Sequence, residues 1–110
     1  MDEQAKKFLE GLTAKRQEVD HPTLGKVYVR ELTLGERLEM ERAAAKKGAA
    51  SRPALLIAAA TFREDGRRVF EFEAGHAIDE LPTSQVTPLS TPAGELNNLT
   101  PAAEASAEGN

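Results

Sequence analysis

At 110 residues with a 40% hydrophobic fraction, the chain has the length of one domain with a modest core, and only 5% of it is aromatic. It contains no cysteine, which excludes disulfides, thiolate catalysis and cysteine-based zinc sites and suits a reducing compartment. The net charge of −4 is unevenly placed: all 14 Lys and Arg lie at or before Arg68, whereas Glu71, Glu73, Asp79, Glu80, Glu95, Glu104 and Glu108 follow with no base among them.

The N-terminus is acidic with no apolar run behind it, so no signal peptide is expected. Residues 2–12 carry Ala5, Phe8, Leu9 and Leu12 at helical spacing and predict a short amphipathic helix. Arg16 to Asp20 reads as extended. His21-Pro22-Thr23-Leu24-Gly25 has turn chemistry, with Pro fixing φ and Gly permitting positive φ. Lys26 to Arg30 alternates, placing Val27 and Val29 on one face and Tyr28 and Arg30 on the other, so Arg16 to Arg30 predicts a hairpin.

Thr33-Leu34-Gly35-Glu36 has the form of a capping box, which starts a helix there. Leu34 and Leu38 stand one turn apart, Ala45 roughly continues their stripe, and charges fill the other faces. Lysines and a glycine at Lys46-Lys47-Gly48 predict the stop. Ser51 is placed to cap the next helix, with Pro53 in its first turn. Ala54 to Phe62 is apolar all round and predicts a buried central helix. Its run from Ala54 to Ala60 is the longest apolar stretch, far short of the roughly 20 residues a membrane-spanning helix needs.

Asp65-Gly66 marks a turn, and Arg68 to Phe72 is either a further strand or a packed loop. Glu73 to Leu81 predicts a short helix with Ala74, Ala77, Ile78 and Leu81 inward. Beyond it, Pro82, Pro88 and Pro92 break up the pattern. Thr83 could cap a turn or two, and Thr91-Pro92 could start another helix through Leu99. Pro88 argues against one unbroken helix, because an interior proline costs about 3 kcal/mol. Thr100 to Asn110 is small and acidic, without bulky apolar residues, and reads as a disordered tail.

Chemistry is sparse. His76 and Asp79, at i and i+3, offer two metal ligands where a zinc site takes three or four, and His21 before a proline reads as an exposed loop residue. No serine lies in a Gly-x-Ser-x-Gly elbow, and the adjacent acids Glu64-Asp65 and Asp79-Glu80 do not converge. No phosphate-binding glycine pattern is present, and no cofactor is implied. The basic residues are interleaved with acids instead of forming the concentrated basic face that nucleic acid requires. The pattern points to a non-enzymatic module that acts through its surface.

Four stretches carry a resemblance: KVYVRELTLGERLEME (Lys26 to Glu41), ALLIAAATFREDGRRVFEFE (Ala54 to Glu73), IDELP (Ile78 to Pro82) and ELNNLT (Glu95 to Thr100). Their order and spacing over residues 15 to 100 resemble the small tail assembly chaperones of long-tailed, siphovirus-type bacteriophages. The resemblance implies a cytoplasmic phage or prophage protein that binds the tape-measure protein during tail assembly and shields its apolar surface. It also implies help in recruiting tail-tube protein, absence from the finished virion, and in many members a longer frameshifted form attached beyond Thr100. Pro88 and Pro92 depart from the continuous C-terminal helix the family implies.

The sequence therefore predicts an α+β domain over residues 1–99: an N-terminal β-hairpin on three to five helices, with a flexible acidic tail over 100–110. Self-association is expected, with the basic block of one subunit meeting the acidic C-terminal segment of the next. Tyr28, Arg30, Arg37 and Arg42 are the candidate partner-binding residues. The alternative reading is a small cytoplasmic adaptor or regulator that binds one folded protein.

Overall fold

The computed structural model describes residues 1–99 apart from Leu12, and the expected acidic tail lies outside the described residues. The fold is α+β. In chain order it comprises α1 (Glu3–Gly11), β1 (Arg16–His21), β2 (Gly25–Arg30), α2 (Leu34–Ala44), α3 (Arg52–Ala60), β3 (Thr61–Phe62), a 3-10 turn (Phe72–Ala74), α4 (Gly75–Asp79) and α5 (Thr83–Leu96).

The hairpin forms as expected, in the register Arg16↔Arg30 to His21↔Gly25, and Gly25 takes φ 73° at the turn. The sheet has three strands, not two. The apolar run leaves its helix at Ala60, and Thr61-Phe62 pairs with Val29 and Tyr28 as β3. β-branched Thr61 closes α3 by donating its hydroxyl to the Ile57 carbonyl at 2.8 Å, and its extended backbone enters the sheet. Arg68 to Phe72 contributes only an isolated bridge from Arg68 to Phe62 and is otherwise loop up to the 3-10 turn that begins at Phe72.

α3 is the centre of the molecule. Every residue from Ala54 to Phe62 is buried, and α2, α4, α5 and the sheet all pack against this run. Val19, Val27 and Val29 from the inner sheet face, Met40 from α2, Ile78 from α4, and Leu89 and Ala93 from α5 complete the core. Ser51 caps α3 by accepting from Ala54 N, and its hydroxyl and amide donate to Asp79 at the end of α4. These two bonds hold the Asp79 carboxyl below the usual carboxylate range. Asp79 thus serves the junction of two helices.

Four expectations are corrected. α2 buries Met40, while Leu34 and Leu38 are 75% and 47% exposed, and it ends at Ala44, before Lys46-Lys47. α4 buries Gly75 and Ile78 and leaves Ala77 and Leu81 outside, because its single turn meets α3 along one narrow line. His21 is buried: its Nδ1 accepts from the Thr23 and Leu24 amides at 3.1 Å each, so Nε2 carries the proton and donates to the Gln85 carbonyl at 2.7 Å. His21 therefore closes the hairpin turn and fastens it to α5.

The fourth correction concerns the prolines. α5 runs unbroken through Pro88 and Pro92. The two rings stand four residues apart, on one side of the helix, so each lost amide and each ring displacement falls on the same face. Burial of Leu89, Pro92, Ala93 and Gly94, with α5 packed on α3 and the inner sheet face, outweighs the proline cost. The helix closes at Leu96-Asn97-Asn98-Leu99: Asn98 takes φ 56° and Leu99 N–H donates to the Gly94 carbonyl at 2.8 Å, a Schellman ending with Asn in the glycine position.

Gly75 marks a close approach in the core. A Cβ there would lie 2.9 Å from the Ala50 Cβ and 3.2 Å from Leu55 Cδ2. Gly75→Ala is expected to destabilise the fold by about 1–3 kcal/mol, although alanine is the better helix former by about 1 kcal/mol. The urea midpoint of the variant against the parent checks it.

Candidate interaction surfaces

The sheet presents two unlike faces. Its inner face carries Val19, His21, Val27, Val29 and Thr61 toward α3 and α5. Its outer face carries Tyr28 beside Phe62, and arginines cover them. The Arg16 guanidinium lies 4.3 Å from the Tyr28 ring centre, while Arg30 and Arg68 lie 4.1 and 5.4 Å from that of Phe62. Each such contact is worth about 0.5–2 kcal/mol, more as it is desolvated. The two aromatic residues are consequently only 9% and 7% exposed. Burial, with the Glu64 and Glu18 carboxylates nearby, pushes the Tyr28 hydroxyl above its usual value. Arg16, Tyr28, Arg30 and Phe62 line a shallow cleft of ≈ 250 Å³ with Arg63 and Gly66.

Arg30 is committed to the corner between β2 and α2. Its Nη2 donates to Glu36 Oε2 at 2.7 Å, and Arg68 approaches the same oxygen at 3.3 Å. Glu36 also completes the capping box, accepting from Thr33 N at 2.8 Å while Thr33 Oγ1 accepts from Glu36 N. Burial alone would raise the Glu36 carboxyl. The Thr33 amide and the Arg30 guanidinium outweigh it and hold it below the usual carboxylate value.

The corner is closed from α5 by a residue the sequence reading did not single out. Asn97, 8% exposed, accepts from Leu32 N at 2.7 Å, and its amide donates to the Ala93 carbonyl at 2.9 Å and the Arg30 carbonyl at 3.4 Å. Arg37 joins it, donating from Nη1 to the Asn97 carbonyl at 3.3 Å and lying 3.5 Å from Glu41. The signal for Asn97 was its place in the Leu-Asn-Asn-Leu ending, since an amide beside a left-handed residue at a helix end is positioned to bridge free carbonyls and amides.

The structure thus brings Tyr28 and Arg30 together on the outer sheet face. Arg37 stands on the far side of the corner, engaged with α5, and Arg42 is exposed in the last turn of α2. Leu34 and Leu38 precede Arg42 at four-residue intervals, so the three form one solvent-facing stripe along α2. A second cleft of ≈ 280 Å³ lies between Ala43 to Ala50 and Phe72 to His76, with Lys46 and Lys47 at its rim. Among the described residues no group of three or more His, Asp or Glu side chains converges as a metal site would require, and no helix is long and apolar enough to cross a membrane. Compared with protein-family models, curated proteins and solved structures, the chain matches none.

The Glu36 node has a pH signature. Its folded-state carboxyl is depressed, so its stabilisation is complete above the unfolded carboxylate range, near about pH 4.3, and is lost as the pH falls through the lower folded value. Glu36→Gln keeps a capping-box side chain but removes the charge. The variant is expected to unfold at lower urea than the parent at neutral pH, with the gap narrowing below about pH 4.

Proposed function

We propose that the chain is a non-enzymatic assembly chaperone of the phage-tail type, which binds the tape-measure protein in the host cytoplasm and helps bring tail-tube subunits to it. The observation that carries the reading is the outward stripe of α2. Leu34 and Leu38, 75% and 47% exposed, lie side by side within the Lys26 to Glu41 stretch that carries the family resemblance. An exposed apolar pair on a well-capped helix, rimmed by Arg42 and Glu39, suits a client that is itself a helix with an apolar stripe. Each contact of that kind is weak, and many copies along a filamentous client add up through avidity.

Tyr28, Arg30 and Arg37 take a supporting part in this reading. They are held by the sheet, Glu36 and Asn97, so they fix the direction of α2 relative to the rest of the molecule. Arg42 remains a direct candidate for client contact, beside the two leucines.

Co-expression with the tape-measure protein of the phage or prophage that carries the gene tests the proposal. The client is expected to stay soluble and to co-purify with the parent chain. The Leu34→Asp/Leu38→Asp variant is expected to lose both effects while its own urea midpoint stays close to the parental one, since both side chains are exposed. A client equally soluble without the chain, or equally well held by the double variant, would overturn the reading.

A further inference from the structure

The sheet order β1-β2-β3 leaves β1 at one margin. The phase of its ladder is fixed at the open end of the hairpin, where Glu31 N–H donates to the Lys15 carbonyl at 2.9 Å. Hydrogen-bonded pairs alternate in an antiparallel ladder, so Gln17, Val19 and His21 exchange their backbone bonds with β2. The amides and carbonyls of Arg16, Glu18 and Asp20 therefore point away from β2, along the open margin. The opposite side of the sheet is different: beyond β3, Val69 N–H donates to the Thr61 carbonyl and Arg63 N–H to the Arg67 carbonyl. Among the described residues, β1 is the open edge of the sheet.

Its side chains carry a pairing code. When two copies of β1 meet antiparallel across a two-fold axis, only registers that match outward-facing residues with outward-facing residues form bonds. Glu18 opposite Asp20 sets like charges against each other and is disfavoured, and Arg16 opposite Glu18 leaves Asp20 facing Ala14, beyond the strand. Glu18 opposite its own copy sets Arg16 of each chain against Asp20 of the other, twice over, with all three outward residues inside the strand. The two central Glu18 carboxylates are each already paired with Lys26 of their own chain at 3.1 Å.

We propose that β1 is a homodimerisation edge, pairing antiparallel with β1 of a second copy about Glu18 to make one continuous six-stranded sheet. The N-terminal helix supplies the rest of the contact. α1 ends at Gly11, just ahead of β1, and its Phe8 and Leu9 are 65% and 66% exposed. The two-fold pairing carries the segment leading into α1 alongside the second copy's His21 to Gly25 turn, which holds half-buried Leu24. A strand pair alone is marginal, and the apolar face of α1 supplies surface to bury beside it. The two-fold also continues the arginine-covered outer face from one chain to the next.

Sedimentation equilibrium of the full chain, from low to high micromolar concentration, tests the pairing. The parent is expected to dimerise. Glu18→Pro removes an amide that the β1–β2 ladder does not use, so it should leave the hairpin intact by circular dichroism and abolish the dimer. Arg16→Asp and Asp20→Arg should each raise the dimer Kd about tenfold or more, and the double swap should restore it. A chain that stays monomeric throughout, a dimer that survives Glu18→Pro, or charge reversals that do not rescue one another would each overturn the proposal. The charge pair remains decisive should the proline variant fail to fold.

Discussion

The architecture depends on one helix that has no outside. α3 is buried on every face from Ala54 onward, and a helix in that position must be met by apolar surface all round. Four of its seven buried residues are alanine, which keeps its cylinder thin and lets its neighbours come close. The elements that meet it also turn small residues inward: Gly75 of α4 comes close to Ala50 and Leu55, and Ala93 and Gly94 of α5 are buried. Because α3 continues directly into β3, the same run also sets the position of the sheet. Helix layer and strand layer are joined by a single peptide at Ala60-Thr61.

The second organising feature is the corner after β2. Arg30, Glu36, Arg37 and Asn97 come from a strand, one helix and the ending of α5, and each satisfies a group another leaves open. Glu36 does most: it caps its own helix, accepts from Arg30 and lies beside Arg68. The arginines it anchors are those that roof Phe62. The outer sheet face is thereby shielded by side chains whose charges remain at the surface, an arrangement suited to a face open to solvent.

Elements whose signals are local were legible in the sequence. The hairpin turn, the Thr33 capping box, the Ser51 cap and the all-apolar helix each follow from residues within a few positions of one another. What escaped was set by partners distant in sequence. His21 resembles a loop residue until α5 brings the Gln85 carbonyl to it. Pro88 and Pro92 resemble helix breaks until α3 and the sheet bury the helix that holds them. β3 was hidden because an apolar run too short to show its period reads equally well as the end of a helix. Of the four candidate residues, alternation placed Tyr28 and Arg30 on one outward face, and they do share it. The helical spacing could not distinguish Arg37, turned toward Asn97, from Arg42, turned to solvent.

The placement of apolar side chains among the described residues supports the proposed role at the surface. Alanine and valine hold about half of the buried apolar positions, while Phe8, Leu9, Leu34, Leu38 and Leu81 stand outside. Burying such a side chain is worth about 1.5–3 kcal/mol, so a chain with so few large apolar residues forgoes substantial stability by leaving five of them exposed. Scattered leucines need no explanation. Four of the five are not scattered: Phe8 and Leu9 flank the open sheet edge in sequence, and Leu34 and Leu38 form adjacent rungs of a helix fixed in direction by the Glu36 corner. Two separate apolar surfaces, each on an element of regular structure and each beside charges that set direction, are the surfaces that the proposed dimer and the proposed client contact would use.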